Sequence, residues 1–499
     1  MSTFIDTLPL LLFSSAEDKA NAQRVSRLAR AGRLRKIYSG IYTSDLKSPL
    51  EQIVRPNWQK IAEHLYPSSV VAYRSAQLGK PDDQGNIFLI YGKRARTIAL
   101  PGLNLNILPG APAIQNHDST VNDIPYGQLF FSSEPRRLLE NLYTGKGSEI
   151  RTMGRPWIES HLSKLCTIRG EYKLNKLRDA AQSIAHELGL ELQFKALTNI
   201  ISALMRTGKV RTLHSADALA RAAGKPYDPE RIEIFETLFS ALRKPFPLIA
   251  EPSNSGESTL NFSFFESYFS NYIEGTTFTV EEASEIIFDG KIIAKRNEDS
   301  HDVQGTFRAI MEQPFRSTPP SNEDEFLRWL QQCNYQILSG RPDKNPGQWK
   351  EQFNQAGNTI FVHPELVKGT LQEGFKRIAL LEDPFARALM AMFIVTEVHP
   401  FMDGNGRTAR LIMNAYLTNN SACRIIIPTA YREDYLLPLK ALSQNNDPIP
   451  FIRSMTRAWN WTAGFNYSDF KKLWGKMKAC NAFTDNAFQY QLLDPHDIT

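Results

Sequence analysis

The stretch His399-Pro400-Phe401-Met402-Asp403-Gly404-Asn405-Gly406-Arg407-Thr408-Ala409-Arg410 lies between two apolar segments with helical spacing. Before it, Phe385, Leu389, Met390, Phe393, Ile394 and Val398 recur at three- and four-residue intervals; after it, Leu411, Ile412, Ala415 and Tyr416 do the same. The pattern predicts a loop joining two buried helices, with Gly404-Asn405-Gly406 opening the second. Two glycines leave the backbone free to turn its N–H groups inward as an anion nest, and the helix N-terminus adds its dipole. Arg407 and Arg410 share one face of that first turn, where bidentate contacts to phosphate are natural. Asp403 is placed to hold a hard cation such as Mg2+. His399 is the only side chain here whose ordinary pKa suits general-base work at neutral pH. Each residue alone has a plainer reading, as a loop histidine, a turn or solvated arginines. Grouped between two apolar helices, they read as a phosphate cradle with a metal carboxylate and a base beside it.

The stretch resembles the signature of Fic-domain proteins, H-x-F-x-[DE]-G-N-G-R-x-x-R, and fills every fixed position of it. The resemblance implies an all-α Fic domain with a β-hairpin flap that transfers AMP from ATP to a Ser, Thr or Tyr hydroxyl of a target protein, releasing pyrophosphate. On that reading His399 is the base and Phe401 anchors the loop. Asp403 binds Mg2+, Gly404, Asn405 and Gly406 supply the anion hole, and Arg407 and Arg410 grip the outer phosphates. Tyr431 and Tyr435 are similar in position to an aromatic near the nucleotide base, though a core role is an equal alternative.

Ser270-Asn271-Tyr272-Ile273-Glu274-Gly275 is similar to the [S/T]-x-x-x-E-[G/N] pattern of the self-inhibitory helix of such proteins. Ser270 and Glu274 stand one helical turn apart, with Gly275 placed to end the helix. The resemblance implies that Glu274 pairs with Arg410 and takes the partner that the γ-phosphate needs. The plainer reading is a helix end packed through Phe264, Phe265, Phe269 and Ile273. Pro346 to Val367 resembles the flap: Trp349–Phe353 and Thr359–Val362 as strands, Ala356-Gly357-Asn358 as their turn, then His363-Pro364 leading into a helix. A target segment would dock over 349–362 by strand addition.

The chain of 499 residues exceeds a single core, so two to four domains are expected, and 42% hydrophobic with 22% charged residues is an ordinary soluble composition. Cys166, Cys333, Cys423 and Cys480 are far apart, which disfavours a zinc site or disulfide framework and fits a reducing compartment. Leu8 to Phe13 is too short, and lacks the preceding basic residue, to be a secretory signal. No run approaches the roughly 20 apolar residues of a membrane span. The expectation is a cytoplasmic protein with no membrane partner and an oligomeric state left open.

Near the N-terminus, Ser15 and Asp18 precede a helical pattern through Ala22, Val25, Leu28 and Ala29 that ends near Gly32. Two short strands follow, Leu34–Tyr38 and Ile41–Thr43. Helix and hairpin outline a winged helix-turn-helix, and Ala29 to Tyr42 resembles the N-terminal domain of AbiEi-type antitoxins. Arg24, Arg27, Arg30, Arg33 and Arg35 would then face DNA phosphates; a protein-docking module with solvated arginines is the alternative. The organisation expected is multidomain and mainly α. It runs as a winged-helix-like module (1–65), a small α+β module with strands such as Ser69–Tyr73 (66–133), a helical connector (134–250), a Fic domain (255–465) with its inhibitory helix near 262–275, and C-terminal helices (466–499). Pro252 to Thr259 reads as the boundary loop and Asp494 to Thr499 as a disordered tail. His161, His186 and His214 have no partners at ligand spacing and read as ordinary histidines. Two other functions stay open: removal of AMP in the same site, and a DNA-binding, toxin–antitoxin-like regulator whose Fic domain senses ATP.

Overall fold

The computed structural model describes residues 8–14, 18–115, 117–208, 213–252, 256–357, 359–485 and 491–498. It divides into two units, Met1–Ala223 and Gly224–Thr499.

In the first unit, β1 (Leu11–Phe13) pairs with a hairpin of β2 (Arg35–Tyr38) and β3 (Ile41–Thr43) in the order β1-β3-β2. Helix α1 (Lys19–Arg30) comes between β1 and β2; Asp18 caps it by accepting from the Asn21 N–H, and the chain leaves at Gly32, where φ is +69°. Ser15 lies outside the described residues. Among those described, one helix and not a helix pair precedes the hairpin, so the first helix of a helix-turn-helix is not seen there.

A six-stranded sheet follows: β4 (Val70–Val71), β5 (Asn86–Ile90), β6 (Arg96–Leu100), β7 (Leu103–Leu108), β8 (Ile124–Tyr126) and β9 (Leu129–Phe131), ordered β6-β7-β5-β4-β9-β8. Strand β5 is apolar on both faces because both are covered: Ile87 and Leu89 pack with Trp58 and Ile61, Phe88 and Ile90 with Ala72 and Tyr73. The strand expected over Ser69–Tyr73 is cut to two residues. Tyr73 turns to φ +54° and opens helix α2 (Tyr73–Leu78), its N–H taken by the Glu140 carboxylate at 3.0 Å. Helices α3 (Glu134–Asn141), α4 (Arg155–Ala185) and α5 (Glu191–Leu204) complete a second core, and α4 is broken at Gly170. The fully buried Arg136 is neutralised by Asp123 at 2.6 Å and Glu140 at 2.7 Å, as a buried cation must be.

The second unit begins earlier than the polar stretch suggests. Helix α6 (Pro229–Leu242) buries Phe235, Leu238 and Leu242 in the second unit's core, so the second unit starts at Gly224, inside the stretch 134–250 expected as a connector. Helix α7 (Gly256–Ile273) has already begun within the expected Pro252–Thr259 loop. Then come α8 (Asn297–Met311), α9 (Glu323–Ile337), α10 (Val367–Leu380), α11 (Pro384–Val398) and α12 (Asn405–Asn419). Helix α11 is apolar on every side and almost wholly buried, the mark of a central helix. Helices α13 (Arg432–Asn445), α14 (Ile449–Ala463) and α15 (Phe470–Ala479) close the bundle. The tail expected to be disordered, Asp494 to Thr499, is packed against the bundle over its described residues: Pro495 is buried beside Gly464 and Ile498 packs on the core. No helix among the described residues is long and apolar enough to cross a membrane.

Candidate active site

The loop between α11 and α12 is short because both of its ends use left-handed backbone: His399 caps α11 at φ +51° and Gly404 caps α12 at φ +75°. The Asn405 side chain staples the turn, accepting from the Phe401 N–H at 2.8 Å and donating to the Phe401 carbonyl at 2.9 Å. Phe401 is buried and stacks on Trp349, ring centres 5.1 Å apart. Asn334 of α9 donates to the Asp403 carbonyl at 2.9 Å, and a methyl group at Gly404 would fall 2.9 Å from that same amide. Glycine is needed there for space as well as conformation.

The first-turn N–H groups of a helix have no partner within it, so α12 presents donors at Asn405 and Gly406. Glu274, just past the end of α7, lies against the second of these residues. A methyl group at Gly406 would lie 2.1 Å from Glu274 Oε1, so the carboxylate rests directly on that glycine. Arg410 binds the same segment throughout: Nη2 to Glu274 Oε1 at 2.7 Å and to the Ser270 carbonyl at 2.8 Å, Nε to Ser270 Oγ at 2.9 Å. Burial opposes ionisation of Glu274, but Arg410 and Arg407 outweigh it and hold the carboxyl below its usual range. The contact is therefore present at neutral pH and is lost only in acid, as pH falls through that lowered value. About a third of the side chain (32%) stays exposed, so Glu274 is a removable cover and not part of the core.

Arg407 is held differently. It is 3% exposed and bonds Asp302 of α8 at 2.7 Å, Asp403 at 3.2 Å and Asn271 at 3.4 Å. Its guanidinium is thus committed to carboxylates, whereas the sequence suggested that it grips phosphate beside Arg410. Asp302→Ala leaves that buried charge short of its main partner. The expected loss is about 3 kcal/mol, read by calorimetry as a fall of roughly 10 °C in the second unit's Tm. An unchanged Tm would mean that Asp302 is not what neutralises Arg407.

Asp403 accepts from the Gly404 N–H at 2.6 Å and stays 36% exposed. One part-exposed carboxylate at the cradle's mouth suits magnesium, which keeps waters and shares its shell with substrate phosphates. No group of three or more His, Cys, Asp or Glu able to enclose an ion occurs among the described residues.

The His399 imidazole lies under Phe361, stacked at 3.9 Å with 8° between the rings. Burial, then the nearby Lys350, push its pKa down to about 4. The ring is therefore neutral, with a lone pair available, over the whole physiological range. Acting as a general base, such a ring would set the acid limb of kcat/KM near that value. Activity is expected to stay flat between about pH 5 and 6.5, where an ordinary histidine is already protonating. A half-point near 6.5 in a pH–rate series would contradict this environment.

Of the two tyrosines only one joins the site. Tyr435 is buried beside Arg410; Tyr431 is core, its hydroxyl donating to the Ser454 carbonyl at 3.2 Å. In the flap, β10 (Gln355–Ala356) pairs with β11 (Thr359–Ile360), while Asn358 lies outside the described residues. Trp349–Phe353 is not the first strand, because this segment is fastened to the signature loop instead: Trp349 bridges Phe401 and the Lys350 N–H donates to the Pro400 carbonyl at 2.9 Å. In the first unit Arg24, Arg27, Arg30 and Arg33 are exposed, whereas Arg35 donates to the Ser48 carbonyl. Asn271, Asp302, Lys350 and Asn354 were not anticipated. Only Asn271 carried a signal, lying inside the Ser270–Gly275 pattern.

A family model described as Fic/DOC matches residues 323–417, so this stretch is a Fic/DOC domain. Protein adenylyltransferase fic-1 of Caenorhabditis elegans is 25% identical over 199 residues, which are 39% of this chain and 39% of that protein. Protein adenylyltransferase Fic of Drosophila melanogaster is 27% identical over 201 residues, 37% of this chain and 38% of its own length. The chain thus spans less than half the length of these curated relatives. Among solved structures, residues 134–508 of Fic-1 from C. elegans align at 19% identity and a TM-score of 0.36, covering 63% of this chain and 99% of that one.

Proposed function

We propose that this chain, through its Fic/DOC domain, is an autoinhibited protein adenylyltransferase that moves AMP from ATP to a Ser, Thr or Tyr hydroxyl of a target protein. The observation that carries the reading is the Glu274 carboxylate seated on Gly406 and bonded to Arg410, since a nucleotide's phosphates need those donors. The names of the relatives support AMP as the transferred group. Neutral His399 takes the proton of the incoming hydroxyl, whose oxygen bonds to the α-phosphorus; the bond to the bridging oxygen breaks and pyrophosphate leaves with that electron pair. The N–H groups of Asn405 and Gly406 receive phosphate oxygens, and Arg410, once released by Glu274, receives the outermost phosphate. Asp403 would hold a magnesium ion, which neutralises phosphate charge when bound. The β10–β11 hairpin, with Phe353 before it and Ile360 within it both about 60% exposed, would take an extended target segment so that its hydroxyl meets His399.

Parallel incubations with ATP labelled at the α- or the γ-phosphate test the reaction. Label retained on protein from the α-position alone supports AMP transfer; label from the γ-position alone means phosphoryl transfer and overturns it. Asp403→Asn is expected to raise the magnesium concentration for half-maximal labelling by at least about tenfold. An unchanged requirement would remove Asp403 from the metal site.

A further inference from the structure

Four successive carbonyls around the base are each bonded from the segment that leads into the flap. Lys350 Nζ donates to Val398 at 3.3 Å, Asn354 Nδ2 to His399 at 3.3 Å and to Phe401 at 3.0 Å, and the Lys350 N–H to Pro400 at 2.9 Å. Lys350 Nζ also donates to Asn354 Oδ1 at 2.6 Å, so the two side chains act as one clamp. The clamp closes on a histidine whose φ of +51° is one that residues other than glycine rarely adopt. Lys350 is 6% exposed, and no carboxylate lies within ion-pair distance of it among the described residues. A buried ammonium without a counter-ion is costly, and packing alone gives no reason to keep one. Its surroundings explain the cost. Arg231 of α6 adds positive charge and is itself paired with Glu397 of α11; Phe361, stacked on the imidazole, has its ring centre 6.0 Å from Nζ. The charges bearing on His399 from other elements are Glu274 after α7 and Asp403 in the loop.

We propose that Lys350 is a positioning residue of the transfer reaction: with Asn354 it fixes the backbone that aims His399, and it sets a positive charge against the imidazole. Burial, with Arg231, pushes Lys350 down to about 7, so it gains or loses its proton near neutrality while His399 stays neutral. The kinetic consequence rests on the adenylyltransferase reading; the electrostatic one does not.

The test follows the His399 imidazole in the full chain labelled with 15N-histidine, its resonances assigned by loss in His399→Ala. Lys350→Met is expected to raise the titration midpoint of His399, and Lys350→Arg to leave it low, because only the first removes the charge. In the Glu274→Gly background, Lys350→Met should lower kcat roughly 10- to 100-fold while KM for ATP stays within about twofold, with most of the rate restored by Lys350→Arg. A midpoint in Lys350→Met equal to that of the unchanged chain overturns the proposal. Should that variant not fold, the unchanged chain still decides: the His399 resonances should inflect a second time near pH 7 as Lys350 titrates, and their failure to do so overturns it. A shifted midpoint with no variant labelling protein would support the placement of Lys350 and count against the transferase reading.

Discussion

Glu274→Gly is expected to raise AMP labelling of protein by roughly 30-fold or more at a fixed ATP concentration. The estimate follows from the contact it removes. A charge-assisted hydrogen bond of 2.7 Å between Glu274 and Arg410 is worth about 2 kcal/mol, and each 1.4 kcal/mol is about a factor of ten in an equilibrium. That energy holds Arg410 away from substrate and keeps a carboxylate on the Gly406 backbone, where phosphate charge would repel it. The glycine substitution removes both obstacles and leaves the Ser270 contacts to Arg410, at 2.9 and 2.8 Å, in place. Glu274→Gln is the informative control. It keeps most of the volume but not the charge, so labelling should rise part of the way. Labelling unchanged in both variants would mean that Glu274 does not limit access to the cradle.

His399→Ala in the Glu274→Gly background is expected to abolish that gain, lowering kcat by roughly 100- to 10,000-fold while the protein still binds ATP. The split arises because the imidazole sits beside the cradle, stacked under Phe361, whereas the donors to phosphate come from α12 and Arg410. Fluorescent-nucleotide titration beside the labelling assay separates the two effects. Retained transfer in the alanine variant would require another base, and the lysine whose charge bears on His399 is Lys350, which the Lys350→Met series addresses directly.

The parts of this site that lie close together in the chain could be read from it. The loop from His399 to Arg410 is flanked by apolar residues at helical intervals, and α11 and α12 form there. The single turn between Ser270 and Glu274 was likewise visible, because helix geometry dictates which residues share a face. Residues that act across the fold gave no such sign. Asp302 reaches Arg407 from α8, and Lys350 and Asn354 reach the base from an irregular segment; one polar residue on an amphipathic helix or in a loop looks the same whether it faces water or a buried arginine. The flap's first strand lies elsewhere than its sequence suggests, for a related reason. Trp349 has the composition of a strand residue, but its ring is used to pack Phe401 and its neighbour's N–H to hold Pro400. The tail from Asp494 reads as disordered because its polar residues hide Pro495 and Ile498, which pack on the bundle.

The most direct measurement is a crystal structure of the Glu274→Gly chain with ATP and magnesium. The predicted result places phosphate oxygens on the Asn405 and Gly406 N–H groups, the outermost phosphate on Arg410, and the α-phosphorus within reach of a hydroxyl bound to His399. Nucleotide bound elsewhere, with the first turn of α12 facing only water, would contradict it.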